Sequence, residues 1–133
     1  MKKNRNKLLL LFALSATIIG GILFFYVYKE HRDISSEEAS FTISVDELHK
    51  QFQTNDSLAN ASYADQTILI SGEITSIDLE KKSLIVDEKL FLTFNSNDIL
   101  TLQPKQFVKI KGRFVGYDDL MDELKMDQCQ LIE

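Results

Sequence analysis

Three cations at alternate positions, Lys109, Lys111 and Arg113, are the residues whose type and spacing come nearest to a binding device. Side chains two apart on a strand point to the same side. With Tyr117 just beyond them, the three form a candidate ligand face. A basic row of this kind holds a nucleic-acid backbone when aromatic rings beside it stack on the bases. The competing reading is a solvated strand face balanced by nearby acids, with Phe91, Phe94, Phe107 and Tyr117 mostly serving the core.

Other chemistry is thinly represented. Asp118, Asp119, Asp122, Glu123 and Asp127 are the densest acidic stretch, and hard carboxylates suit calcium. They lack the spacing of a calcium loop, so a solvated loop and strand edge accounts for them better. His31 and His49 are the only histidines and Cys129 the only cysteine, which gives no metal-ligand pattern. One cysteine cannot form an intramolecular disulfide. Cys129 reads as a small buried apolar residue, or else as a thiol pairing between chains in an oxidising compartment. There is no G-x-S-x-G, no phosphate-cradling glycine loop and no supported Cys/His pair, so the chain is expected to be non-catalytic and to carry no cofactor or metal.

Charge and hydropathy place these residues. The 133-residue chain has a formal net charge of −5, but the basic Lys2, Lys3, Arg5 and Lys7 all precede the first acidic residue. From residue 29 onward, 11 basic residues face 20 acidic ones, a balance of −9. Affinity for phosphate backbones depends on cations releasing counterions, so such a domain disfavours nucleic acid unless its cations share one groove.

Leu8 to Tyr28 runs for 21 residues without a charge. At a rise of ~1.5 Å per residue it spans roughly 30 Å, the thickness of a bilayer core. Tyr26 and Tyr28 close it with interfacial aromatics, and the flank before it is the more basic one. The expectation is a cytoplasmic tail at 1–7, a transmembrane helix at 8–28 and the remaining chain outside the cytoplasmic membrane. Ala13-Leu14-Ser15-Ala16 offers a signal-peptidase-like site, but cleavage there would leave an exposed apolar terminus, so retention is favoured. No cysteine follows the apolar run to carry a lipid. Gly20-Gly21 lacks the four-residue spacing of a helix-packing motif.

Residues 29–40 read as a polar, solvated stalk. Ser44-Val45-Asp46-Glu47 is a capping box, and Val45, Leu48 and Phe52 supply a helical stripe. The helix is expected over 44–62, kinked or split at the polar Thr54-Asn55-Asp56-Ser57. From Thr67 the period becomes two. Ile68, Ile70, Gly72 and Ile74 share a face, then Ile77 and Leu79 take the apolar role on the other parity, which predicts a bulge. Gly72 is expected to ease the bend. Leu84–Val86 and Leu90–Phe94 follow as strands; Ile99, Leu100 and Leu102 suit a short helical plug before Pro104. Gln106–Val115 alternates with Val108, Ile110, Gly112 and Phe114 inward. Gly116 to Asp119 reads as a loop, and Leu124–Ile132 as the fifth strand. Three strands, a helical connector and two strands make a mainly β, five-stranded Greek-key barrel of the OB-fold type over 67–132, preceded by an α-helix, within a domain at 41–133.

These residues also resemble a known family. Asn55, Ala59-Asn60 and Tyr63 are similar to the N-x-x-x-A-N-x-x-Y helix that introduces the bacterial tRNA_anti-like OB-fold family. Gly72, the pair Gly112 and Gly116, and the closing Cys129-Gln130-Leu131-Ile132 match its later glycines and its cysteine-bearing last strand. The resemblance covers about Phe41 to Glu133 and implies the barrel. Where the family places further cysteines, this chain has Thr93 and Phe114, so no thiol-linked role is implied. An anchored OB barrel is also similar to the periplasmic haem chaperones of cytochrome c maturation, but neither histidine begins their H-x-x-x-Y motif.

The sequence therefore leads to a non-catalytic, membrane-tethered OB-fold module of the cell envelope, with a protein or peptide as ligand. The alternative is single-stranded nucleic-acid binding through the barrel face.

Overall fold

A computed structural model describes residues 2–28 and 32–132. They belong to two compact units, Met1–Arg32 and Asp33–Glu133. Lys29, Glu30 and His31 of the expected stalk lie outside the described residues.

The first unit is one helix, α1 (Lys2–Val27), with its apolar side chains exposed all round. It is long and apolar enough to cross a membrane. Its serine and threonine hydroxyls are satisfied within the helix: Ser15 Oγ donates to the Phe12 carbonyl and Thr17 Oγ1 to that of Ala13, both at 2.9 Å. This suits an environment without water, where an unpaired polar group is costly.

The second unit holds β1 (Phe41–Ser44), α2 (Val45–Thr54), α3 (Asp56–Tyr63), β2 (Thr67–Asp78), β3 (Ser83–Val86), β4 (Leu90–Phe94), a 3-10 turn (Asp98–Thr101), β5 (Phe107–Asp118) and β6 (Glu123–Leu131). Hydrogen bonding runs β2-β3-β4-β6-β5, and β5 returns to β2. The five strands thus close on themselves. The β4–β6 pair is parallel and the other barrel pairs are antiparallel. This is the OB-fold connection, and closure removes the edges that an open sheet of this size would expose. Ile68, Ile70, Ile74, Leu84, Leu90, Leu92, Val108, Ile110, Phe114 and Leu124 fill its interior.

The expected bulge in the first barrel strand is present, with the β2–β3 register slipping between Ile74 and Ser76. Beyond it only Ile77 turns back towards the core; Leu79 is 52% exposed, because the turn to β3 starts there. Gly72 is needed for close approach. A Cβ there would lie 2.5 Å from Val86 Cγ1 and would also strike the Asp87 carboxylate, which accepts from the Glu73 amide at 3.0 Å.

Four expectations are corrected. Residues 33–40 are not a solvated stalk: Ile34 is 1% exposed, and the Lys111 ammonium donates to the Ser35 and Glu37 carbonyls at 3.0 and 2.9 Å. Thr67 Oγ1 donates to Glu37 at 2.6 Å. Second, the chain adds β1, a parallel partner for the start of β2, which local periodicity did not reveal. Third, Gly116–Asp118 is strand and not loop, because Tyr117 and Asp118 pair with Leu124 and Glu123. Asp122 adopts a left-handed φ of 52° to close the hairpin. Last, Phe107 is 65% exposed, and Phe91 is half-buried on the outward parity of β4 rather than in the core.

The helical segment is split rather than kinked. Asn55 ends α2 in extended backbone, and its side chain then accepts from the Leu58 amide at 3.1 Å to cap α3. Lys111→Met is expected to release residues 34–40 locally by about 1–2 kcal/mol, the worth of charge-assisted hydrogen bonds at a half-exposed site. Hydrogen exchange should quicken at Ser36, Glu37 and Ser40 while β2 and β5 keep their protection; unchanged exchange there would refute the clasp.

Candidate functional site

The four residues expected to form a ligand face do lie along β5, but two of the cations face partners within the chain. Arg113 makes a two-pronged pair with Asp127 across the β5–β6 ladder, Nε to Oδ1 at 2.8 Å and Nη2 to Oδ2 at 2.5 Å, with Asp65 Oδ1 at 3.6 Å from its other nitrogen. Lys111 holds the docked 33–40 segment. Lys109 is exposed on the same side, where its backbone carbonyl accepts from the Ile132 amide at 2.9 Å. Neighbouring cations follow the same rule: Lys125 meets Asp118 at 3.2 Å and Lys89 meets Asp46 at 2.8 Å.

Tyr117 belongs to a different arrangement that the sequence reading missed. α2 presents Val45, Leu48, His49 and Phe52 to the barrel. Phe52 sits 5.3 Å from the Phe114 ring and 5.4 Å from the Tyr117 ring, centroid to centroid. One turn earlier, His49 is 5% exposed, and its Nε2 lies 2.6 Å from Asp122 Oδ1 in the β5–β6 turn. The Tyr117 hydroxyl donates to the same oxygen at 2.5 Å. An ionised carboxylate only accepts, so this contact calls for a proton on His49 Nε2. A helix, a strand and a turn are joined at one oxygen. His49 and Asp122 are 73 positions apart, and no local pattern links them.

This clasp perturbs both oxygen acids. Hydrogen bonds from Tyr117 and then His49 hold the Asp122 carboxyl below the usual carboxylate range. The hydrogen bond to Asp122, followed by desolvation and the charges of Asp122, Asp119 and Asp56, pushes the Tyr117 phenol up to about 12. The folded tyrosine therefore binds its proton more tightly than the unfolded one. The stability it contributes is complete below pH 10 and fades as pH rises towards 12. Ultraviolet titration should show one phenol ionising near pH 12. Tyr117→Phe should abolish that step, and titration of every tyrosine near pH 10 would show that the hydroxyl faces water.

The motif that introduces the barrel has a packing explanation. Asn55 is the cap between α2 and α3, Ala59 is 4% exposed, and the Tyr63 hydroxyl donates to Gln51 Oε1 at 2.8 Å. Cys129 is 2% exposed beside Gly112, and burial pushes its thiol far up, so in the folded domain it is an inert core residue. On the outer face of the second and third barrel strands, Ile85 pairs with Phe91, and Phe91 with Lys125 of β6. Both apolar side chains are half-buried there. This is the face through which OB barrels commonly meet ligands.

The closed 1-2-3-5-4 barrel with its helical lead-in defines a small OB-fold protein. The chain belongs to the tRNA_anti-like family, whose pattern matches residues 1–129 and so extends over the apolar helix as well as the barrel. Among solved structures, one similar to it is a candidate nucleic acid-binding lipoprotein from Klebsiella pneumoniae. That protein is 18% identical with a TM-score of 0.54, and the likeness covers 78% of this chain and 100% of the other. At this identity the likeness speaks for the fold. No curated protein matches the chain.

Proposed function

We propose that this protein is a non-catalytic binding module of the cell envelope, held to the cytoplasmic membrane by residues 8–28, with its barrel on the outer side and a protein or peptide as ligand. One observation carries the choice of ligand: cations that a polyanion would need are engaged by the chain's own acceptors, Arg113 by Asp127, Lys111 by the Ser35 and Glu37 carbonyls, and Lys125 by Asp118. An acidic domain whose basic side chains are held by its own acceptors repels a phosphate backbone. The basic flank before Leu8 supports the orientation.

The second reading, single-stranded nucleic-acid binding, draws on the name of the Klebsiella protein and on Phe91 and Ile85, which offer a ring and an apolar neighbour on the usual OB face. Detergent-solubilised full-length protein titrated with a labelled oligonucleotide separates the two. The expected result is no saturable binding even at about 50 mM salt. Micromolar affinity that falls steeply towards about 200 mM salt would transfer the conclusion to nucleic acid. For the tether, membrane-bound protein should resist alkaline washing and begin ahead of Leu8. A phosphatase fused after Glu133 should be active, as that enzyme requires the oxidising side of the membrane.

A further inference from the structure

The β5–β6 turn has two side chains that the barrel does not use. Leu120 is 93% exposed and Met121 66%, side by side at the tip. Isolated exposed leucines are common on protein surfaces. These two differ in being held on a fixed loop. Asp118 Oδ1 accepts from the amides of Leu120 at 3.1 Å and Met121 at 3.2 Å, and its other oxygen is held by Lys125. After the tip, Asp122 is pinned by His49 and Tyr117. The loop is therefore held by hydrogen bonds before and after its tip, which lowers the entropic cost of ordering it on a partner. Leucine and a flexible methionine are side chains that fill an apolar pocket.

The surroundings select the partner. Asp119 and Asp122 flank the pair, Asp56 reaches the same neighbourhood from the start of α3, and the charges of all three are felt at Tyr117. Two cations close to the turn, Lys125 and Lys89, face Asp118 and Asp46. An apolar tip set among carboxylates is repelled by anionic lipid headgroups and by nucleic acid, and also by the same tip on a second copy. It is complementary to an apolar pocket rimmed by lysine or arginine.

We propose that Leu120 and Met121 form the anchor of a protein-docking surface, inserted into an apolar pocket with a basic rim on a different protein of the envelope. This rests on the protein-ligand reading above and adds where the ligand is met and what chemistry it presents.

The test uses the full chain in its own membrane, with a photo-crosslinking phenylalanine analogue placed at position 120 and, as control, at Leu79 on the β2–β3 turn. The expected result is a discrete protein adduct from position 120 and none from Leu79. The crosslinked peptide should be apolar and bordered by Lys or Arg. Asp119→Lys should lower the yield at least fivefold; the variant is expected to fold, because the Asp119 side chain is exposed at the tip. No adduct, an adduct to lipid or to a second copy of the chain, or a yield indifferent to Asp119→Lys overturns the proposal. If position 120 stays silent while Phe91 carrying the analogue yields a protein adduct, the docking tip is wrong and the protein-ligand reading stands. Salt-sensitive oligonucleotide binding with no protein adduct at either position removes both.

Discussion

Phe114→Ala is expected to destabilise the Asp33–Glu133 unit by about 3–5 kcal/mol, the usual cost of deleting a buried aromatic ring. Phe114 is fully buried, and its ring meets Phe52 of α2 at 5.3 Å and Tyr63 of α3 at 6.5 Å. It joins the helices to the barrel, so truncation opens a cavity where neither layer can easily collapse. A domain of this size is stable by only about 5–15 kcal/mol, so the loss is a large share of the whole. Urea unfolding should show a much lower midpoint with an unchanged slope. Phe107→Ala, at a 65% exposed ring, is the internal comparison and should shift stability by less than about 0.5 kcal/mol. Equal effects at the two positions would mean that the aromatic cluster does not bear the packing described.

The second large effect is expected at Gly112. A Cβ there would lie 2.7 Å from Cys129 Sγ, 3.0 Å from the Asp127 carbonyl oxygen and 3.2 Å from Met126 Cε. The β5–β6 register slips at this place, where Lys111 pairs with Gln130 but Arg113 with Asp127, and Gln128 takes a left-handed φ of 50°. The extra residue on β6 carries Cys129 and the Asp127 carbonyl towards the glycine. Methionine can swing away and a thiol can rotate, but the carbonyl belongs to the ladder. Gly112→Ala should therefore cost about 1–3 kcal/mol, as overpacking does. Cys129→Ala should recover part of that loss in the double variant, giving a favourable coupling above about 0.5 kcal/mol. Strict additivity would show that Cys129 and Gly112 are not in contact. Gly116 makes the control, since nothing lies within 4 Å of a Cβ built there.

Local pattern and composition were enough for most of the elements. The period of two made Leu90–Phe94 a strand, the parity change after Ile74 announced the bulge, and Ile99 lies in a 3-10 turn ahead of Pro104. The Ser44 cap was readable because a cap is a contact between residues three apart. Strand order followed from the sequence of elements, and the apolar run from Leu8 declared itself by length. The family motif was legible for the same reason, since Asn55, Ala59 and Tyr63 act within one helical hairpin.

What failed depends on partners distant in the chain. Phe41–Ser44 becomes a strand only because the start of β2 lies beside it, and Gly116–Asp118 because β6 does. Ile34 is buried although its neighbours are polar, since Lys111, 76 positions after Ser35, captures the carbonyls around it. The alternation of Lys109, Lys111 and Arg113 showed which way those cations point, yet not that Asp127 and the 33–40 carbonyls would already hold two of them. The clasp of His49 and Tyr117 on Asp122 likewise exists only once the barrel has closed and α2 has packed against it. Periodicity and capping are properties of neighbours and so are written in the chain. Whether a charged side chain faces water, a ligand or a partner of its own is settled by tertiary contacts.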